Sequence, residues 1–200
     1  MPDRPSADRD HGSAAENREL AGELRDTERA IMLWHQKARG VGRLPSWMAF
    51  GLSRMPGDWG YRFVIGNGGF VEASEFVTYG VQFARLFDLP EKATNDVPML
   101  QQLPERYRPL FSDGCSKAMA NGAPARFSGA VVHFAKIEIY RAAFMPLEVQ
   151  PNSPIQLIFG SFNRRALPRD RAPRSGVRAA LVSCAAAGLA GIVRLPQSAD

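Results

Sequence analysis

The chain has 200 residues, of which 45% are hydrophobic and 10% aromatic, and this is enough for one domain with a sizeable core plus tails. Its two cysteines, Cys115 and Cys184, are too few for a disulfide framework or a cysteine metal site and suit a reducing compartment, so we expect a cytoplasmic protein. The net charge of the chain is +5, and residues 164–178, which hold six arginines and one aspartate, carry the same net charge. No apolar signal segment is visible at the N-terminus.

The N-terminal region divides into a polar stretch, a helix and a connector. Residues 1–15 are rich in Pro, Asp, Arg and Ser, and we predict that they are disordered. Residues 16–42 are predicted to form an amphipathic helix, because apolar residues recur at helical spacing before a pair of glycines. Its apolar stripe, a candidate interaction surface, consists of Leu20, Leu24, Ile31 and Trp34. Residues 43–58 hold two prolines and are predicted to connect this helix to the domain.

Residues 59–167 carry the pattern of an α+β domain. The predicted elements are strands at 59–65 and about 74–79, helices at about 81–87 and 99–121, and strands at 126–134, 136–149 and 155–163. Pro104 and Pro109 are expected to break the second helical region, because proline has no amide donor. The last strand is apolar on both faces, which is typical of a central strand covered on two sides. We therefore predict a five-stranded antiparallel sheet with flanking helices.

The C-terminal tail, residues 168–200, reads as an Arg/Pro linker followed by an Ala-rich segment. We predict that it is disordered or weakly helical. The run Ala179–Val193 is apolar, but its 15 residues are fewer than the roughly 20 that a helix needs to cross a bilayer. No stable membrane insertion is therefore expected.

Three stretches form recognisable motifs: residues 30–34 (AIMLW) with 42–45 (GRLP), residues 59–65 (WGYRFVI), and residues 140–147 (YRAAFMPL) with 155–163 (IQLIFGSFN). They resemble the corresponding stretches of PAS domain proteins of the stand-alone type common in alphaproteobacteria. With the predicted element order, the resemblance to the PAS fold covers residues 30–167. It implies a sensory or regulatory module that binds a small ligand, a signalling partner such as a kinase or regulator, or its own copy as a homodimer.

The residues that cofactor-binding PAS branches use are missing. Cys115 lies in Asp-Gly-Cys-Ser-Lys, which does not match the cysteine motif of the flavin-adduct branch, and residues 99–121 hold no histidine for a haem. We therefore expect no cofactor. Three histidines, His11, His35 and His133, show no metal-ligand spacing, and no Gly-x-Ser-x-Gly motif occurs. These absences predict no metal site, no catalytic residues and a protein that is not an enzyme.

Four side chains are candidates for a ligand pocket. Arg141 interrupts an apolar strand face beside Tyr140, and a buried arginine needs an anionic partner. One hypothesis is that Arg141 lines a pocket for an acidic ligand with its neighbour Tyr140 and with Arg85 or Tyr79. The alternative, which we favour, is a register in which Arg141 reaches solvent or pairs with a nearby glutamate.

The basic segment offers an alternative function. Arg164, Arg165, Arg169 and Arg171 are candidates for binding nucleic acid or an anionic surface. The Arg165–Arg169 spacing resembles the start of PilZ-type receptors, which implies cyclic-dinucleotide binding, and paired guanidinium groups suit phosphate. The alternative, which we favour, is a truncated remnant or a plain solvated linker, because the residues that follow are too few for that barrel and hold no Asp-x-Ser-x-x-Gly pattern.

The amphipathic helix also has two possible roles. Its apolar stripe either contacts a second subunit or covers the chain's own sheet.

Overall fold

The computed structural model describes residues 26–39, 44–50, 59–67, 69–94, 96–133, 136–150, 155–168 and 192–194. The helices are α1 (described over 26–39), α2 (Trp47–Phe50), α3 (Val81–Phe87), α4 (Met99–Gln102) and α5 (Arg108–Asn121). The strands are β1 (Arg62–Gly66), β2 (Glu75–Tyr79), β3 (Ala125–His133), β4 (Lys136–Glu148), β5 (Ile155–Pro168) and β6 (Ile192–Arg194). Single 3-10 turns occur at Trp59–Tyr61, Val71–Ala73 and Glu105–Tyr107.

The strands form one antiparallel sheet in the order β2-β1-β5-β4-β3-β6. Its first five members confirm the predicted α+β fold, a PAS-like five-stranded antiparallel sheet with flanking helices. The sheet differs from the prediction at its β3 edge, where residues 192–194 of the expected disordered or weakly helical tail pair as a short sixth strand. The fifth strand is also longer than predicted and continues to Pro168, because its pairing with β4 extends to Lys136.

Two prolines shape the helical region between the sheet halves, as the sequence predicts. Leu103, which precedes Pro104, is extended at φ −89° and ψ 144°, and α4 ends there because the residue before a proline disfavours helical geometry. Pro109 lies in the first turn of α5, where its missing amide donor is tolerated. Gly122, with φ of 58°, ends α5 in the left-handed conformation that glycine adopts readily.

Both faces of the sheet are covered. The inner face packs against α3, α4 and α5, and the outer face packs against α1. Ile31 is fully buried and Trp34 is 6% exposed, and both belong to one buried cluster with outer-face side chains of β4 and β5, among them Met145 and Phe159. The structure therefore has the second of the two predicted arrangements, in which the helix covers its own sheet. Leu20 and Leu24 lie outside the described residues.

A buried polar cluster also joins α1 to the outer face of the sheet. The Arg62 guanidinium forms an ion pair with Asp26, with Nε donating to Oδ2 at 3.2 Å. The Ser161 hydroxyl donates to the same carboxylate at 3.0 Å, and the Asn163 amide donates to the Thr27 hydroxyl at 3.3 Å. Four of the five side chains are buried, so the start of the described helix is held at a defined place on β1 and β5.

Replacing Trp34 by phenylalanine is expected to lower the free energy of unfolding by about 1 kcal/mol. The Trp34 indole donates a 2.8 Å hydrogen bond to the Pro146 carbonyl, and phenylalanine keeps the ring but leaves that buried acceptor without its donor. Urea unfolding would measure the change. Trp47→Phe, a partly buried position beside the same cluster, is the matched control, and equal losses in the two variants would contradict the role of the hydrogen bond.

Candidate functional site

The space between the sheet and α3–α5 is filled by aromatic rings. Phe63 on β1 lies at its centre, with ring centroids 4.9 Å from Phe83, 5.2 Å from Phe111 and 5.6 Å from Phe144. All four rings are fully buried. Tilted and edge-to-face contacts of this kind pack densely. The rings therefore fill the volume between the sheet and the helices.

Two glycines let the rings approach the backbone this closely. A Cβ atom on Gly160 of β5 would overlap the ring of Phe63, and one on Gly114 of α5 would overlap the ring of Phe144. Real Cβ atoms do not make such contacts, so any side chain at either position requires its aromatic neighbour to move. The sequence shows the glycines, but only the fold shows which ring each of them accommodates.

A partly buried carboxylate cluster lies on the same inner face. Glu138 of β4 accepts hydrogen bonds from the Tyr107 hydroxyl at 2.7 Å and from Arg106 Nε at 3.1 Å on Oε2. Its Oε1 accepts one from Arg164 Nη1 at 2.7 Å, while Arg164 Nη2 donates to the Leu86 carbonyl at 2.6 Å. The cluster thus joins β4, β5, the last turn of α3 and the 3-10 turn before α5.

The contacts of the cluster shift the pKa values of Glu138 and Tyr107 in opposite directions. Burial by itself would raise the pKa of Glu138, but the Tyr107 hydrogen bond and the charges of Arg164 and Arg106 outweigh it and hold that pKa below the ordinary glutamate value. Burial, aided by the neighbouring carboxylate, raises the pKa of Tyr107 to about 12. At neutral pH the carboxylate is therefore charged and the phenol neutral, which is the pairing that the hydrogen bond requires.

Acid is expected to weaken the fold through Glu138. Because the pKa of this carboxyl is lower in the folded chain, the unfolded chain takes up the proton at a higher pH. The contribution of ionised Glu138 to the free energy of unfolding is therefore complete above about pH 4.3, the ordinary glutamate value. This contribution is lost as the pH falls through the folded-state pKa. Unfolding free energies measured from about pH 5 to pH 3 should fall more steeply for the wild type than for Glu138→Gln. Parallel curves for the two chains would show that Glu138 does not carry this dependence.

The four pocket candidates do not converge. Tyr140 is buried on the inner face and stacks on Phe162, with centroids 6.2 Å apart, whereas Arg141 is exposed on the opposite face of β4. Tyr79 is buried and its hydroxyl donates to the Lys92 carbonyl at 3.1 Å, while Arg85 is exposed on α3. Arg141 thus reaches solvent, as in the alternative favoured from the sequence, because adjacent strand residues point to opposite faces.

The basic segment is divided by the fold. Arg164 and Arg165 belong to β5 rather than to a linker, and Arg164 directs its guanidinium into the Glu138 cluster. This use corrects the expectation that Arg164 contacts external phosphate, since its guanidinium already pairs with a buried carboxylate. Arg165 is partly exposed on the strand, and Arg169 and Arg171 lie outside the described residues.

Sequence reasoning missed the two polar clusters, although each leaves a weak signal. Glu138 interrupts a run of isoleucines in β4, and Arg62 precedes three buried apolar residues in β1. A charge within a buried strand needs a partner, so both positions could have been marked. Their partners could not have been named, because they lie up to 36 residues away and are brought close only by the fold.

Cys115 and the histidines add no reactive group to the described core. Burial raises the pKa of the Cys115 thiol to about 12, so the thiol stays protonated and is a poor nucleophile. His35 is exposed on α1, edge-on to Trp34. Within the described ranges, no three His, Cys, Asp or Glu side chains converge as metal ligands, and no helix is both long and apolar enough to cross a membrane.

No family model matches the chain, and no curated protein sequence matches it. Among solved structures, one similar chain is described as "Structure of an RNA-binding Light-Oxygen-Voltage Receptor". The two are 19% identical, the similarity covers 62% of this chain and 34% of that chain, and the TM-score is 0.37. The chain therefore corresponds to about a third of the length of that receptor. Its own strand order and flanking helices define a PAS-like α+β fold.

Proposed function

We propose that this chain is a non-enzymatic PAS-type regulatory module of bacterial signal transduction, which acts by contacting a cytoplasmic signalling protein such as a kinase or regulator. The observation that carries the proposal is the aromatic packing around Phe63. Because rings fill the inner face at close packing, a resident cofactor would have to displace several fully buried side chains. A surface that binds another protein requires no such displacement.

The proposed surface is not the apolar stripe of α1. Ile31 and Trp34 are covered by the chain's own sheet, so a homodimer through this stripe would require α1 to leave it. That step would break the Arg62–Asp26 ion pair inside a buried site, which is costly. The partner therefore binds elsewhere on the domain.

The Glu138 cluster supports a regulatory role by linking the helices to the sheet. Arg164 contacts both the carboxylate and the carbonyl end of α3, and Arg106 and Tyr107 precede α5 directly. Movement of either helical segment would disturb a charged, mostly buried set of hydrogen bonds. A partner that shifts α3 or α5 is thereby coupled to the strands β4 and β5.

Native mass spectrometry and an absorbance spectrum of the purified full chain test this proposal together. We expect the mass of the chain without an organic adduct and no band in the visible range. A stoichiometric flavin, haem or other small molecule would overturn the cofactor-free reading. A stable wild-type dimer that dissociates in the Ile31→Glu variant, with an unchanged circular dichroism spectrum, would show that the α1 stripe is the contact surface and would contradict this part of the proposal.

The alternative function is binding of nucleic acid or an anionic surface through Arg165, Arg169 and Arg171. Fewer arginines support this function than the sequence suggests, because the guanidinium of Arg164 pairs with Glu138. Phosphate contacts release counterions, so this function predicts affinity for DNA that falls steeply with salt. Replacing these three arginines by glutamine should abolish that affinity if the alternative holds, and salt-independent or absent binding in the wild type excludes it.

A further inference from the structure

Helix α1 has a second face, turned away from the sheet, along which a groove runs. The groove is open, has a volume of about 820 Å³ and is lined, among the described residues, by Arg29, Met32, Leu33, His35, Gln36 and Arg39. These positions recur at three- and four-residue spacing, so they lie in one row along the helix. Met32 at the centre of the row is 68% exposed and Leu33 beside it is partly buried. We call this surface the α1 groove.

The formal charges in the α1 groove are two arginines, one near each end. Arg29 and Arg39 are both exposed and lie about 15 Å apart along the helix axis at ~1.5 Å per residue. Arg39 donates from Nε to the His35 carbonyl at 3.4 Å, a contact within the helix that leaves its charge without a counterion. Within the part of the chain that the structure describes, neither arginine forms an ion pair with a carboxylate.

The acidic residues of the described helix are engaged outside the groove. Asp26 pairs with the buried guanidinium of Arg62, and Glu28 pairs with Arg126 of β3 at 3.2 Å. Both acids therefore fasten the helix to the sheet and neither lines the groove. The α1 groove is left with charge of one sign, and charge complementarity calls for an acidic partner.

The groove stands on a rigid base. Ile31, on the opposite side of the helix, is fully buried, and the indole of Trp34 donates a 2.8 Å hydrogen bond to the Pro146 carbonyl. The His35 ring lies edge-on to Trp34, with centroids 5.3 Å apart, so a residue of the groove contacts this fixed indole. A partner that binds here does not have to order the helix first, which reduces the entropic cost of association.

The shape and composition of the α1 groove favour a partner helix over a small molecule. Small-molecule sites are concave and cover most of their ligand, whereas this groove is open and follows one helix face. Arginine and methionine are both enriched in protein interfaces, and the flexible thioether of methionine adapts to different apolar partners. An amphipathic helix laid along such a groove contacts it through residues three and four apart.

We propose that the α1 groove is the docking surface for an amphipathic acidic helix of a partner protein. The partner's apolar side chains pack on Met32 and Leu33, and its carboxylates pair with Arg29 and Arg39. This surface is distinct from the apolar stripe of α1, which the sheet covers. The inference deepens the proposed function by naming the contact surface, and it rests on that function for the existence of a partner.

The experiment uses the full chain and two labelled helical peptides that share one leucine face. The first carries two glutamates at the spacing of Arg29 and Arg39, and the second carries lysines in their place. We expect the glutamate peptide to bind the wild type, and the double variant Arg29→Glu with Arg39→Glu to bind it at least about tenfold more weakly. Fluorescence anisotropy gives the affinities, and chemical-shift changes in NMR spectra should fall on residues 29–39.

The lysine peptide provides the reciprocal test. It should bind the charge-reversed chain more tightly than the wild type, because attraction and repulsion have exchanged places. The matched control is Arg85→Glu with Lys92→Glu, which makes the same change of charge at exposed positions outside the groove and should leave both affinities unaltered. Met32→Asp should weaken the glutamate peptide several-fold. Thermal unfolding followed by circular dichroism should be the same in all variants, because every altered side chain is exposed.

The proposal is wrong if the glutamate peptide does not bind the wild type, or if charge reversal in the groove changes its affinity no more than the control does. A wild-type dimer that Arg29→Glu with Arg39→Glu converts to monomer would assign the groove to a second copy of the chain. Salt-dependent DNA binding lost in the same variant would assign it to nucleic acid, and either result overturns the partner-helix proposal.

Failure of this inference is distinguishable from failure of the proposed function. A stoichiometric cofactor in native mass spectrometry would end the proposed function and leave the peptide affinities as measured. A cofactor-free chain that binds neither peptide would keep the proposed function and remove the α1 groove as its surface.

Discussion

Replacing Glu138 by alanine is expected to lower the free energy of unfolding by about 3–5 kcal/mol, as breaking a buried ion pair from one side usually does. The change leaves Arg106, Arg164 and the Tyr107 hydroxyl with no anionic acceptor at a site where their side chains are mostly buried. The remaining charges also repel each other across the space that the carboxylate held. Chemical denaturation at pH 7 measures the loss.

Three further variants show whether charge or volume is responsible. Glu138→Gln keeps the shape and should lose less than alanine, while Glu28→Ala, which removes the exposed partner of Arg126, should lose about 1 kcal/mol or less. The double variant Glu138→Leu with Arg164→Met should recover part of the loss, because a buried ion pair is often replaceable by apolar residues. A loss below about 1 kcal/mol in Glu138→Ala would contradict the role assigned to the cluster.

Phe63→Ala is expected to cost about 3–5 kcal/mol, since it removes the central ring of a fully buried aromatic set. Gly160→Ala should also destabilise the fold, by about 1–3 kcal/mol, because the new methyl group overlaps that ring. The double variant should lose less than the sum of the two, because the methyl group then enters the space vacated by the ring.

Denaturant unfolding of the two single variants and the double variant gives the interaction free energy between Phe63 and Gly160. Phe70→Ala, at a side chain that is 67% exposed, is the control for losing an aromatic ring and should be nearly neutral. Strict additivity of Phe63→Ala and Gly160→Ala would mean that the two residues do not share the contact described here.

Local sequence patterns predict the helices and strands of this fold better than they predict which side chains contact one another. The helix at about 81–87 agrees with α3, and the two-faced apolar pattern of the last strand agrees with β5, which lies inside the sheet and is buried from both sides. These features depend on residues within a few positions of one another, so periodicity and turn residues specify them. The Glu138 cluster depends on residues 106, 107, 138 and 164, whose approach only the tertiary fold determines.

Two features that the sequence did not decide have the same physical origin. The stripe that includes Ile31 and Trp34 identifies an apolar surface of α1, but an amphipathic pattern does not say whether a sheet or a second chain covers it. Residues 192–194 contain the β-branched Ile192 and Val193, but three residues after an Ala- and Gly-rich stretch are too short to show an alternating strand pattern. They pair with β3 because an open sheet edge supplies the hydrogen bonds.

The polar contacts between α1 and β5 have a consequence for the order of folding. Thr27 meets Ser161 and Asn163 across 134 and 136 residues of chain, so these contacts close very large loops. Contacts of such separation form late, after the shorter-range hairpin of β3 and β4. We therefore expect the docking of α1 to be absent from the rate-limiting step, so that stopped-flow kinetics of Thr27→Ala show faster unfolding at an unchanged refolding rate. The contacts of α1 with the sheet then determine the unfolding rate, and hence the lifetime of the native state, without changing the folding rate.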